Sequence, residues 1–152
     1  MIEIVKFQPT YAVAFKALNY AWIKDLFEIE ASDKKMLENP QEEIIDKGGS
    51  IFIALMNNEP VGACALVRKS DQTFELAKMA VDKKARGNQI GYLLGNEIVE
   101  EAKRKNAEKV ILETNSQLTP AINLYHKLGF NNSCGQSGYY HRCDIKMELV
   151  LK

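Results

Sequence analysis

The sequence carries no excess of either charge: 20 basic and 20 acidic side chains give 152 residues a formal net charge of zero. A large nucleic-acid surface needs a basic excess, so the balance argues against a nucleic-acid partner, and nothing in it favours an anionic membrane. No apolar run approaches the ~20 residues that span a bilayer. The N-terminus, Met1-Ile2-Glu3-Ile4-Val5, has neither the basic head nor the apolar core of a signal peptide. Cysteine is scarce. Cys64, Cys134 and Cys143 are odd in number and lack metal-ligand spacing, which points to reduced thiols in a cytoplasmic protein. Histidine is scarcer still, and His126 and His141 are too isolated to suggest a metal site. No repeat, low-complexity tract or linker divides the chain, so one domain over residues 1–152 is expected.

What is present reads as alternating strands and helices. Residues 2–7 alternate as a first strand, and Pro9 can open the helix that follows. Residues 11–27 carry Val13, Ala14, Ala17, Leu18, Ala21 and Trp22 at helical spacing. A short helix over 33–37, capped by Ser32 or Asp33, stops at Asn39-Pro40. Residues 41–47 add a turn or two before Gly48-Gly49. Three strands, 51–56, 61–68 and 73–81, are joined by short turns and imply an antiparallel meander. A helix over 90–105 would bury Ile90, Leu93, Leu94, Ile98 and Ala102. A strand at 110–114 is reached by that helical crossover, so it should run parallel to strand 73–81. A helix over 120–128, with Thr119 as cap and Pro120 first, ends at Gly129. A strand from Phe130 and a last strand over 143–151 complete a mixed α/β sheet.

The richest stretch follows strand 73–81. Asp82-Lys83-Lys84-Ala85 is a charged turn, and Arg86-Gly87-Asn88-Gln89-Ile90-Gly91 leads into an amphipathic helix. A strand feeding a basic, glycine-bearing loop that opens a helix can hold phosphate. The loop amides and the first helical amides have no internal partners, and glycine lets the backbone come close. The residue order resembles the R/Q-x-x-G-x-G/A loop of the GNAT superfamily of N-acetyltransferases, which seats the pyrophosphate of acetyl-CoA. It is neither the dinucleotide fingerprint G-x-G-x-x-G nor the P-loop. Gln89 stands where the family usually has its first glycine. Downstream, Ala121-Ile122-Asn123-Leu124-Tyr125-His126-Lys127-Leu128-Gly129-Phe130 resembles the family's A-x-x-L-Y-x-K-x-G-F helix. The resemblance covers nearly the whole chain. It extends to the acetyltransferase half of winged-helix fusions found in some bacteria, although no DNA-binding segment is expected here.

The resemblance implies the GNAT fold: a mostly antiparallel sheet of about seven strands, a V-shaped splay between two central parallel strands, and helices on both faces. It implies acetyl-CoA as co-substrate, with no metal. The cofactor residues would be Met79, Ala80 and Val81 along the splayed strand; Arg86, Gly87, Asn88, Gln89, Gly91 and Tyr92 at the pyrophosphate; and Asn115 and Asn123 toward the pantetheine. Tyr125 matches the tyrosine near the CoA sulfur, where a phenol can protonate a leaving thiolate. The alternative is a tyrosine that only packs on the sheet. Glu75 corresponds to a carboxylate that serves some members as general base. The alternative is a solvated outward glutamate, since alternation does not say which face is wet.

Acceptor recognition in this fold falls to the early helices and the segment before the last strand, here Trp22, Phe27, Glu28, Glu30, Tyr140 and Arg142. Carboxylates beside aromatics suit a cationic amine, whereas Arg142 would suit a substrate carboxylate. A small amine, an amino acid, a peptide N-terminus and a lysine side chain all remain open, and a homodimer is compatible with the family. The competing reading is a catalytically silent acyl-CoA-binding or regulatory protein of the same fold. A nucleotide-binding Rossmann module is excluded, because a meander precedes the loop where a βαβ unit should begin.

Overall fold

A computed structural model describes residues 1–133 and 142–152. The chain runs β1 (Ile2–Lys6), α1 (Ala12–Leu26), α2 (Ala31–Glu38), β2 (Ser50–Met56), β3 (Glu59–Arg68) and β4 (Thr73–Val81), then α3 (Ile90–Arg104), β5 (Lys109–Thr114), α4 (Thr119–Lys127), β6 (Asn131–Asn132) and β7 (Ile145–Val150). A 3-10 turn at Pro9–Tyr11 leads into α1, and a π-helical turn at Gln41–Ile45 follows α2. The seven strands form one sheet in the order β1-β2-β3-β4-β5-β7-β6. Only β4 and β5 pair in parallel; every other neighbouring pair is antiparallel. The meander and the helical crossover legible in the sequence are therefore both present.

Helices cover both faces. On one side Ile90, Leu94, Ile98 and Ala102 of α3 pack against Leu66, Leu76, Val110 and Leu112 of the sheet. Burying each large aliphatic side chain is worth roughly 1.5–3 kcal/mol, which makes this stripe a main source of the sheet's order. Leu93, expected in the stripe, is 38% exposed, because its place in the helical turn carries it off the sheet-facing side.

On the other side α1 buries Phe15, Asn19 and Ile23, one residue per turn, rather than the smaller apolar set read from spacing; Val13 is exposed. Asn19 is tolerated in that stripe because its amide donates to the Phe15 carbonyl (3.0 Å) and its oxygen faces the Trp22 indole N–H (3.4 Å). Two helix starts differ from expectation. Helix α2 begins at Ala31, with Glu30 as its cap, and Asp33 Oδ2 accepts the Glu30 amide from inside the first turn (2.9 Å). In α4 the cap position falls on Leu118, and Thr119 and Pro120 are the first two helical residues.

Candidate active site

The site begins where the two parallel strands part. Pairing of β4 with β5 runs only from Thr73↔Lys109 to Glu75↔Ile111. Beyond Glu75, β4 stays paired to β3 as far as Val81, and β5 stays paired to β7 as far as Thr114. The inner edges of both strands are thereby released, and a cleft of about 750 Å³ opens between them. Tyr125, Glu75, Met79, Ala80, Val81, Arg86, Gly87, Gln89, Gly91, Tyr92 and Asn115 all line it, as do Trp22, Phe27 and Arg142.

At one end the cleft is closed by the loop between β4 and α3. Asp82 accepts the Lys84 amide (3.0 Å) and starts a 3-10 turn. Gly87 has φ +88°, and a Cβ there would meet no atom within 4 Å, so the backbone faces open space. Gln89 is the cap residue of α3, in the left-handed region at φ 60°, ψ 25°. That conformation explains why glycine suits the position and why another residue can still occupy it. The amides of Gly87, Asn88 and Gln89 donate to no described residue, and the first amides of α3 add to them. With Arg86 alongside, this is a cradle for a phosphate-bearing group. The residues fit the pyrophosphate of CoA on that ground.

Asn88 itself turns away: its side-chain amide donates to the Ala85 carbonyl (2.9 Å) and holds the loop shape. Asn123 is exposed on α4 and lies outside the lining of the cleft. Asn115 lines the cleft, with its amide bonded to the Arg142 carbonyl.

Tyr125, on α4, lines the cleft. It is buried, its ring meets Phe130 edge-on (centroids 6.2 Å), and its hydroxyl bonds to no described residue. Burial pushes its pKa up, so the phenol keeps its proton at neutral pH. Glu75 is 3% exposed. Its Oε1 has no hydrogen-bond partner among the described residues, although Lys69 Nζ stands 3.7 Å away. Burial raises the Glu75 pKa most, Lys69 and Lys78 oppose it, and Glu113 adds to it. Burial thus makes this carboxyl a better proton acceptor than an ordinary glutamate.

Several lining residues carry no signal in the sequence. Lys78 sits at a β-bulge, where Ala77 pairs with Ala65 but Ala80 pairs with Ala63. It adopts φ +55°, and its side chain is 2% exposed. Strict alternation would turn Lys78 to the face opposite Ala77. The bulge instead sends it to Asp33 of α2 (Nζ–Oδ1 2.7 Å). Arg142 grips the same carboxylate with two nitrogens (2.7 and 2.8 Å) and reaches Glu30 Oε2 (3.1 Å). Burial works to raise the Asp33 pKa, but the bonds from Arg142 and Lys78 outweigh it and hold the group at about 2. Glu113 and Cys143 also line the cleft. Burial pushes the Cys143 thiol up to about 12, so it stays protonated.

Of the residues expected to recognise an acceptor, Trp22 and Phe27 meet edge-on (6.4 Å) beside the cleft, and the Arg142 guanidinium stands over Trp22 (5.9 Å). Glu30 is drawn into the Arg142 pair, and Glu28 is exposed away from the lining. Tyr140 lies outside the described residues. Among the described residues no helix is long and apolar enough to cross a membrane, and no group of three or more potential metal ligands comes together.

A sequence profile of the acetyltransferase (GNAT) family matches residues 17–130. N-acetylaspartate synthetase of Mus musculus is 34% identical over 94 residues, which are 61% of this chain and 31% of that protein. The chain thus spans about a third of the length of that curated relative. Among solved structures, an acetyltransferase of the GNAT family from Staphylococcus aureus Mu50 superposes over the whole of both chains with a TM-score of 0.90 at 23% identity. The PaiA N-acetyltransferase from Thermoplasma acidophilum, solved in complex with coenzyme A, superposes over 99% of both chains with a TM-score of 0.80 at 18% identity.

Proposed function

The chain belongs to the acetyltransferase (GNAT) family, and from that premise we propose that it moves the acetyl group of acetyl-CoA directly to a primary amine. The observation that carries the reading is the parting of β4 and β5 after Glu75. It leaves a cleft with an amide cradle at one end and a buried carboxyl and phenol farther in. The likeness to a CoA complex supports the cofactor, and the likeness to N-acetylaspartate synthetase supports an amine as the acceptor class.

In this reading the amides of residues 87–92 and the Arg86 guanidinium hold the pyrophosphate. The free edge of β4 at Met79, Ala80 and Val81 aligns the pantetheine by backbone hydrogen bonds, as an added strand would be held. Asn115 borders the same path. Glu75, directly or through water, takes one proton from the acceptor ammonium, and this proton later leaves to solvent. The freed amine attacks the thioester carbonyl carbon. A nitrogen–carbon bond forms and the carbon–sulfur bond breaks. Tyr125 gives its phenolic proton to the departing sulfur, and the surplus proton on nitrogen restores the phenol. A protonated Cys143 thiol is a poor nucleophile, which supports direct transfer over an acetyl-cysteine intermediate.

The test is a pair of measurements on the full chain. Acetyl-CoA should raise the melting temperature as its concentration passes the dissociation constant, and an amine panel should release free CoA thiol. Protection without thiol release for any amine would favour the silent acyl-CoA-binding reading. An unmoved melting curve would remove the cofactor assignment altogether.

A further inference from the structure

We propose, resting on the acetyl-transfer reading above, that the acceptor is a primary amine with an apolar or aromatic body and no carboxylate beside the amine. Two separate features of the described residues carry this. One is an unmet acceptor. Glu75 Oε1 is buried, lines the cleft and has no hydrogen-bond partner among the described residues. An ammonium has three N–H donors, one of which can meet this oxygen, and Glu113 on the neighbouring strand adds a second acid to the same cleft.

The other feature is that the cations at this end already face carboxylates of the protein. Lys69 stands 3.7 Å from Glu75, and Lys78 bonds Asp33 at 2.7 Å. Arg142 holds Asp33 through two nitrogens and Glu30 through one. Among the described residues at this end, an entering carboxylate must displace one of these ion-pair contacts or lie beside Glu75 and Glu113 with its charge uncompensated. In a partly buried cleft both alternatives are costly. Trp22, Leu26 and Phe27, which line the same cleft, offer apolar surface instead to the body of the acceptor.

The experiment uses acceptors matched except at the carboxylate: phenethylamine, phenylalaninamide and phenylalanine, with aspartate as a small dicarboxylate. Free-thiol release from acetyl-CoA is measured, and kcat/KM is expressed on the unprotonated amine. Phenethylamine and phenylalaninamide should exceed phenylalanine by about tenfold or more, the scale of one added like charge in a site of reduced dielectric. Aspartate should be slower still. Glu30→Gln removes one of the two carboxylates on Arg142, and it should narrow the phenylalaninamide-to-phenylalanine ratio severalfold. Equal use of phenylalanine and phenylalaninamide, a preference for aspartate, or a ratio that Glu30→Gln leaves unmoved overturns the proposal. Failure of every amine, in protein that acetyl-CoA stabilises, overturns the acceptor class and leaves cofactor binding standing. If acetyl-CoA neither stabilises the protein nor loses its acetyl group, the acetyl-transfer reading itself has failed and the acceptor class falls with it.

Discussion

Replacing Asp33 by Asn should destabilise the protein by about 3–5 kcal/mol at neutral pH, the range found when one partner of a buried ion pair is removed. The substitution keeps the shape and one acceptor oxygen for the Glu30 amide, so the cap of α2 can survive. What it removes is the negative charge between Lys78, 2% exposed, and Arg142, 10% exposed. The pKa of Asp33 gives an independent handle. A carboxyl held at about 2 instead of 3.8 adds about 2 kcal/mol of stability above the ordinary carboxylate range. Because the folded-state value is the lower one, that contribution is complete above about pH 4 and is lost as pH falls through about 2. Urea unfolding of both proteins between pH 7 and pH 2 reads both effects. The variant should start several kcal/mol lower, and the difference should shrink in acid. A loss below about 1 kcal/mol at pH 7, the scale of an exposed pair, would refute the claim that this cluster anchors α2 to β4. A difference that stays constant down to pH 2 would refute its electrostatic origin.

Tyr125→Phe should lower turnover about a hundredfold while leaving acetyl-CoA affinity and melting temperature nearly unchanged, because the hydroxyl bonds to no described residue. Unchanged turnover under chemistry-limited conditions would reduce Tyr125 to packing. Glu75→Gln should lower kcat/KM most at low pH. The raised pKa of Glu75 also places the acid limb of the unmodified enzyme above the usual carboxylate range; parallel pH–rate profiles would remove Glu75 as the base. Gln89→Gly should keep or improve CoA affinity at little net change in stability. Relief of the left-handed φ of 60° is worth about 1–2 kcal/mol and opposes a similar entropy term in the unfolded chain; isothermal titration and urea melts check both. Gly49→Ala should cost about 1–3 kcal/mol or more, because its Cβ would lie 2.3 Å from the Leu66 carbonyl oxygen, a backbone atom that cannot swing aside. A melting temperature within a degree of the parent would show that the strand start relaxes freely.

The sequence by itself determined the elements whose cause is local. Residues 73–81 and 90–104 show the right periods, Gly87 marks the loop between them, and Gly129 marks the end of α4. The meander followed by a helical crossover left few topologies, so the mixed sheet with one parallel pair was legible. Glu75, Tyr125 and the loop were singled out by resemblance to a family, and in the fold they line one cleft.

Only the tertiary structure decided what depends on register across distant segments. Nothing local says that β4 and β5 part after Glu75, because the parting is a property of the pair. Nothing local puts an extra residue at Lys78, and without the bulge alternation sends that side chain to the wrong face for Asp33. Arg142 read from sequence as a hand for a substrate carboxylate, yet in the fold it holds Asp33, 109 residues away. Glu113 of β5 and Cys143, just before β7, entered the cleft in the same way, through neighbours that strand pairing sets. Helix α1 shows the rule on a smaller scale. Its spacing fits more than one apolar stripe; in the fold Phe15, Asn19 and Ile23 are the buried ones, and Leu18 and Trp22 pack only partly buried against the cluster that holds Phe15 and Ile23.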